Sequence, residues 1–216
     1  METEKILLAS GSPRRQEMLA WTGWDYRVQA ADIDETRQPG EEPLAFVQRL
    51  AREKAAAALS FAQPGELILA CDTIVTMNGD LYEKPADAED ARAMLQALRG
   101  REHYVGTAII LLAADSGQCE SDVCVTPVRM REYSEAEIDA YIASGDPFDK
   151  AGAYGIQHRG FHPSENFRSC FASVMGLPLC HVVRAVRKFG LPAAQETPTN
   201  CQLNLSYVCP VYRDIL

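Results

Sequence analysis

The chain has no apolar run approaching the ~18 residues a helix needs to cross a bilayer. No CxxC pair and no HExxH spacing occur, so the common zinc ribbon and zinc hydrolase signatures are missing. GxxxxGK[ST] is absent, as are GxGxxG behind a strand and the GxSxG nucleophile elbow. Positive charge is scarce: 21 Lys and Arg stand against 30 Asp and Glu, a net charge of −9. That balance argues against a nucleic-acid partner, and any anionic ligand must be held by a few local cations. The opening METEKILLAS carries neither the basic nor the apolar region of a secretion signal. Seven scattered cysteines, an odd number, fit free thiols in a reducing cytoplasm better than a disulfide framework, and no membrane partner is expected.

What is present is an α/β pattern over 216 residues, 47% of them hydrophobic, enough for one large domain. Residues 5–9 read as a short buried strand. Ser12 and Pro13 then suit the cap and first turn of a helix that stops near Gly23. DYRVQAADIDE reads as a second strand running into an acidic loop. Residues 43–59 place Leu44, Val47, Leu50, Ala51 and Ala55 on one helical face. ELILACDTIVTM predicts an apolar strand, followed by an Asn-Gly hairpin turn. A helix over 87–99 ends at Gly100, and two long strands, HYVGTAIILLAA and CESDVCVTPVRMREY, are joined by a DSG turn. Ser134 and Glu137 form a capping box for EAEIDAYIA, which Gly145 stops. AGAYGIQ reads as a strand or extended segment, and a last helix runs from Pro178 to Phe189, closed by Gly190. The remainder, 191–216, is rich in Pro, Thr and Asn and reads as a tail with at most one short strand. Short turns between strand pairs call for a mixed sheet.

Four stretches carry chemistry. In ASGSPRR a strand ends, glycine admits a close approach, and a helix starts. Ser10 and Ser12 offer hydroxyls, and Arg14 and Arg15 offer forks that fit phosphate oxygens. The bland alternative is a capped helix with solvated arginines. In ACDTIV one carboxylate, Asp72, interrupts an apolar strand and must meet a cation, a metal or solvent. Lys54, Lys84 and Lys150 sit near element ends, and Pro85 stiffens the chain behind Lys84. The acidic loop DIDE, residues 32–35, is either a solvated charge run or a set of oxygen ligands for magnesium or manganese. Cys170, Cys180, Cys201 and Cys209 form a weaker candidate for a zinc cluster, since their spacings match neither a knuckle nor a ribbon.

The segments LLASGSPRRQEML, DIDE, VQRLAREKA, ACDTIV, YEKP, MLQALRGREHYVGTAI, SGDPFDKAGAYGIQ and VMGLPL, in this order, resemble the Maf family of nucleoside triphosphate pyrophosphatases over roughly residues 5–189. The resemblance implies an α/β fold, an elongated mixed β-sheet flanked by helices and similar to the inosine triphosphate pyrophosphatases. Residues 1–190 would form that domain and 191–216 an extension of unknown role. It implies hydrolysis of a nucleoside triphosphate to the monophosphate and pyrophosphate by a cytoplasmic homodimer. Asp72 would be the catalytic proton acceptor. Ser10, Ser12, Arg14, Arg15, Lys54 and Lys84 would bind substrate, and Glu35 with Asp72 would hold a divalent cation, Mg or Mn. SPRR together with DKAGAYGIQ is similar to the branch acting on dTTP and UTP, in which Arg14, Thr73 and Gln157 would set specificity. The Gln157 amide offers one donor and one acceptor, matching the O4 and N3–H edge of uracil or thymine. Ser173 stands where the family usually has Asn. A 7-methyl-GTP or broad house-cleaning pyrophosphatase, and a nucleotide-binding regulator of septum formation, remain the alternatives.

Overall fold

Every residue of β1 (Ile6–Leu8) is buried, as a strand covered on both faces requires. The computed structural model of the chain describes residues 5–192 and 194–216. β1 pairs in parallel with β2 (Tyr26–Val28) on one side and with β3 (Leu67–Met77) on the other. β3 turns through Asn78 and Gly79, at φ of 57° and 90°, into the antiparallel β4 (Asp80–Tyr82). That left-handed pair is what a two-residue hairpin demands. β5 (Glu102–Ala113) lies antiparallel along almost all of β3, and β6 (Cys119–Arg129) follows β5. The result is one mixed six-stranded sheet, ordered β2-β1-β3-β5-β6 with β4 beside β3.

Helices cover both faces. α1 (Pro13–Ala20) starts at Ser12, whose Oγ accepts from the Arg15 N–H. α2 (Pro43–Ala58) packs Phe46, Val47, Leu50 and Ala51 onto Ile68 and Ala70 of the even-numbered face of β3 and onto Leu7 of β1 and Ile110 of β5 beside it. The odd-numbered face, with Leu67, Leu69 and Cys71, meets α1 and α6 (Leu179–Val186). A third cluster joins the far ends of β3, β5 and β6 to α3 (Ala88–Leu98) and α4 (Glu135–Ala143), the latter closed by the Ser134–Glu137 capping box. A four-residue helix, α5 (Phe171–Val174), precedes α6.

Three expectations need correction. Leu44, on the first turn of α2, reaches over Gly106 of β5 but stays 40% exposed, and Phe46 takes the buried place. AGAYGIQ forms no strand: Ala151–Ala153 make a helical turn, with Gly152 at φ 71°, before an extended Tyr154. The tail is helical, with α7 (Thr197–Leu205) and α8 (Tyr212–Ile215). Its Thr and Asn residues are weak helix formers, so tertiary contact decides. Cys201 enters the core, and the Asn200 side chain donates to the Trp21 carbonyl at 2.9 Å.

Candidate active site

β3 is longer than its parallel neighbour. β1 pairs only with Leu67–Leu69, after which the Ala9 N–H donates to the Leu69 carbonyl and the chain turns away. β4 takes up pairing only at Val75. Between them the edge of β3, Ala70 to Ile74, carries no strand on that side. This notch lies beyond the carboxyl ends of β1 and β3's parallel stretch, where open α/β sheets bind ligands. It forms the floor of a cavity of about 670 Å³, inside the size range of small-molecule sites.

Alternation along β3 aims successive side chains to opposite faces. Asp72 points to the α2 face, where Lys54 Nζ lies 2.5 Å from Asp72 Oδ1 and 2.6 Å from Glu35 Oε1. One ammonium thus bridges two carboxylates, and the buried Asp72 has the cation its position demands. Thr73 points the other way. Its Oγ1 accepts from Arg15 Nη2 at 3.0 Å and lies 3.0 Å from Thr107 Oγ1, whose hydroxyl donates to the Ser173 carbonyl.

Arg15 is held on three sides. Besides Thr73, it donates from Nε to the Gly176 carbonyl at 2.8 Å and from Nη1 to Ser10 Oγ at 3.1 Å. Gly176 sits at φ 102°, and a Cβ there would come within 3.3 Å of both Arg15 Nε and Thr73 Oγ1, so only glycine permits this approach. Arg14 faces the opening and donates to Asp149 Oδ2 at 2.9 Å. Lys150 Nζ anchors the same segment, 2.6 Å from Asp149 Oδ1 and 3.0 Å from Asp146 Oδ1. Burial pushes the Asp149 carboxyl up, but the Lys150 hydrogen bond and the Arg14 charge outweigh it and hold it below the usual range. Lys84 and Gln157 are exposed on the rim.

The ten residues to which the resemblance gave a role, Ser10, Ser12, Arg14, Arg15, Glu35, Lys54, Asp72, Thr73, Lys84 and Gln157, line this one cavity, as does Lys150, whereas Asp32 and Asp34 of the acidic loop do not. Five basic and four acidic side chains line it, so its local balance is positive in a chain of net charge −9. Sequence reasoning missed Asp149 and Gly176. The signals were the DPFDK run, whose acids fall one and four residues from Lys150, and the glycine just before LPL. Ser173, the departure from the family pattern, is fully buried behind the cavity wall and does not line it.

The zinc reading fails. Cys170, Cys180, Cys201 and Cys209 do border one small cavity, but no group of three or more ligating side chains among the described residues is arranged to hold a metal. His158 and His162 stand four apart, yet His158 Nδ1 accepts from the Phe161 N–H. Glu35 and Asp72 are the two carboxylates that fit a divalent cation. Lys54 already occupies the place of positive charge between them, and magnesium ordinarily takes one or two carboxylates and completes its shell with waters and phosphate oxygens.

The model of the family described as Maf-like protein matches residues 5–189. A dTTP/UTP pyrophosphatase of Hahella chejuensis is 43% identical over 189 residues, covering 87% of this chain and 93% of that protein. One from Chromobacterium violaceum is 44% identical over 86% of this chain and 95% of its own length. One from Escherichia coli is 44% identical over 85% and 92%. Among solved structures, the Ham1 protein of Staphylococcus aureus is 18% identical and overlaps 59% of this chain and 72% of its own, with a TM-score of 0.44. With the family model spanning most of its length and relatives of this similarity aligned nearly end to end, the chain belongs to the Maf-like protein family.

Proposed function

We propose that this protein hydrolyses dTTP and UTP to the nucleoside monophosphate and pyrophosphate. The observation that carries the proposal is the notch in β3, which gathers Asp72, Glu35, Lys54 and the ASGSPRR turn around one cavity. The names of the relatives supply the substrates.

In this reading the triphosphate enters along the Ser10–Arg14 turn. The Arg14–Asp149 pair is exposed, and such pairs contribute only ~0–1 kcal/mol, so Arg14 is readily released to a phosphate oxygen. Arg15 keeps its three protein contacts and fixes the turn, β3 and the Gly176 loop as a rigid frame. Lys84 closes over the phosphates from the rim. Glu35 and Asp72 would hold a divalent cation, Mg or Mn, which when bound offsets phosphate charge. Asp72, oriented by Lys54, accepts the proton of the water that attacks phosphorus in line, and pyrophosphate leaves. Positioning and charge stabilisation carry the rate, as is general in phosphoryl transfer. Thr73, Arg14 and Gln157 select the nucleotide, with the Gln157 amide reading the pyrimidine edge. Residues 1–190 form the hydrolytic domain and 191–216 an extension to it. The enzyme acts as a cytoplasmic homodimer on free nucleotides. The net negative charge supports the exclusion of nucleic acid. Among the described residues no helix is long and apolar enough to cross a membrane.

The test is product analysis of dTTP, UTP, CTP and 7-methyl-GTP incubated with magnesium. Pyrophosphate with monophosphate, formed from dTTP and UTP well ahead of the others, is the expected result. Asp72→Asn keeps the shape and removes the charge, and turnover should fall on the order of 10²–10⁴-fold. Equal rates on all four nucleotides would remove the role of Gln157, and preference for 7-methyl-GTP would assign the other branch. An Asp72→Asn variant as fast as the parent would sink the mechanism.

A further inference from the structure

Lys150 brings a charge to the cavity wall, yet its ammonium is taken up by the protein. Lys150 is 7% exposed. Its Nζ donates to the Asp146 carbonyl at 2.5 Å and lies 3.0 Å from Asp146 Oδ1 and 2.6 Å from Asp149 Oδ1. Three oxygens match the three donors of an ammonium, so none is left to aim at a phosphate. Lys150 instead ties down the helical turn Asp146–Asp149, which leads into the segment carrying Gln157. Asp149 extends the tie to Arg14, and the Gly152 N–H donates to the carbonyl of Glu83, next to Lys84. The segment from Asp146 to Gln157 is thus joined to the elements that carry Arg14 and Lys84.

Behind this segment stands Tyr141 of α4, buried and without a part in the proposed reaction. Its hydroxyl donates to Asp146 Oδ2 at 2.6 Å and accepts from the Gly155 N–H at 2.9 Å. Burial and the neighbouring Asp146 push its pKa up, so the phenol stays protonated and keeps both bonds. Its ring meets the His158 ring edge-on, centroids 4.8 Å apart, and stacks on Phe161 at 4.2 Å. Gly155 and His158 are the two ends of a turn, closed by the His158 N–H donating to the Gly155 carbonyl at 3.0 Å. Gln157 is the third residue of that turn, exposed at the cavity. One side chain therefore grips both ends of the four residues that present Gln157. Gly155 completes the fit, since a Cβ there would stand 2.9 Å from Lys150 Cε and 3.3 Å from Gln157 Nε2.

We propose that Tyr141 is a positioning residue for nucleobase selectivity, holding the Gly155–His158 turn so that the Gln157 amide meets the pyrimidine edge, with Lys150 anchoring the same segment. The proposal rests on the dTTP and UTP reading above. Tyr141 does not line the cavity, so it acts through Gln157 and not on the nucleotide itself. Uracil and cytosine exchange donor and acceptor along that edge, and a glutamine amide serves either one by turning over. The presence of Gln157 alone therefore does not discriminate. Discrimination needs a backbone that fixes where, and at what angle, the amide arrives.

The experiment compares UTP with CTP, which differ only at that edge, in the parent, Tyr141→Phe, Gln157→Ala and the double variant. Tyr141→Phe removes one oxygen and keeps the ring on His158 and Phe161. The UTP-over-CTP ratio of kcat/KM should fall on the order of tenfold, through a higher KM for UTP. The kcat for UTP should change by less than about threefold, because Asp72, Glu35 and Lys54 are untouched. In the Gln157→Ala background the same change should leave the ratio where it was, as expected of two residues that act through one contact. Amide hydrogen exchange at Gly155 and His158 should quicken on the order of tenfold in Tyr141→Phe, with β3 and β5 still protected.

A parent that turns over UTP and CTP alike removes the reading on which the proposal rests, and the proposal with it; that result is seen before any variant is made. Against a selective parent, a folded Tyr141→Phe that loses UTP and CTP turnover equally, or neither, places Tyr141 in the scaffold alone and overturns the proposal. A further fall in the ratio when Tyr141→Phe is added to Gln157→Ala overturns it too. Unchanged exchange at Gly155 does so whatever the substrates show. If Tyr141→Phe does not fold, Gly155→Ala, whose Cβ displaces Lys150 or Gln157, must lower the same ratio, and an unchanged ratio there has the same consequence.

Discussion

His103 is completely buried on β5, with Nε2 2.7 Å from the Tyr154 hydroxyl, while its Nδ1 has no partner. Burial pushes its pKa down to about 4 from an ordinary value near 6.5. The unfolded chain therefore binds this proton first as pH falls, and stability drops between pH 6.5 and 4 and then levels. The drop attributable to His103 is about 3 kcal/mol. Urea unfolding of the parent and of His103→Gln at pH 7.5 and pH 4.5 measures it, and the variant should lose less stability on acidification. Arg15 shows the opposite economy, a charged group with every direction occupied. Arg15→Lys keeps the charge but lacks the planar fork that reaches Ser10, Thr73 and Gly176 together. Its kcat/KM should fall on the order of 10²-fold, by ~3 kcal/mol of lost transition-state binding, in a steady-state assay with dTTP.

At the scale of elements, β3 is the part on which the site depends. It is paired with β5 from Leu67 to Thr76, so its backbone is fixed even where the other edge is open. Its apolar run was legible in the sequence, and so was the anomaly of Asp72 within it. The open edge was not, because it arises from the different lengths of β1, β3 and β4 once they are side by side. α7 makes the converse point. Its composition favours coil, and it is a helix because Cys201 packs into the core beneath α6 and Asn200 ties it to Trp21. Truncation after Gly190 withdraws Leu191 and Cys201 from that core and uncovers part of α6. The expected loss is ~2–4 kcal/mol, a fall in melting temperature of about 10 °C measurable by calorimetry. Turnover at low temperature should persist, since no residue after Gly176 lines the cavity proposed to bind the nucleotide.

For the whole molecule, a strongly acidic chain must attract a polyanion. In the proposed function the cavity would do so locally, since it concentrates five cations around its four carboxylates. A divalent cation bound with the nucleotide would shift that balance further. Nucleotide alone should therefore stabilise the protein weakly, and nucleotide with magnesium strongly. At one hundred times Kd, binding contributes about 2.7 kcal/mol. A thermal shift with dTTP and magnesium, abolished by EDTA, is the expected result. A shift of equal size in EDTA would argue against Glu35 and Asp72 as a cation site.

The order of local events was fixed by the amino-acid sequence itself: the Ser12 cap, the Asn-Gly hairpin, the Ser134–Glu137 box, and basic residues placed where strands and helices end. These depend on neighbours a few residues away, and a linear reading reaches them. Tertiary structure alone decided what lies across space. It set Lys54 between Glu35 and Asp72, Arg14 against Asp149 135 positions along the chain, and a helix where the tail's composition favours coil. Those outcomes rest on which edges and faces are left uncovered when the sheet closes, a property of the packed whole that no short window of residues contains.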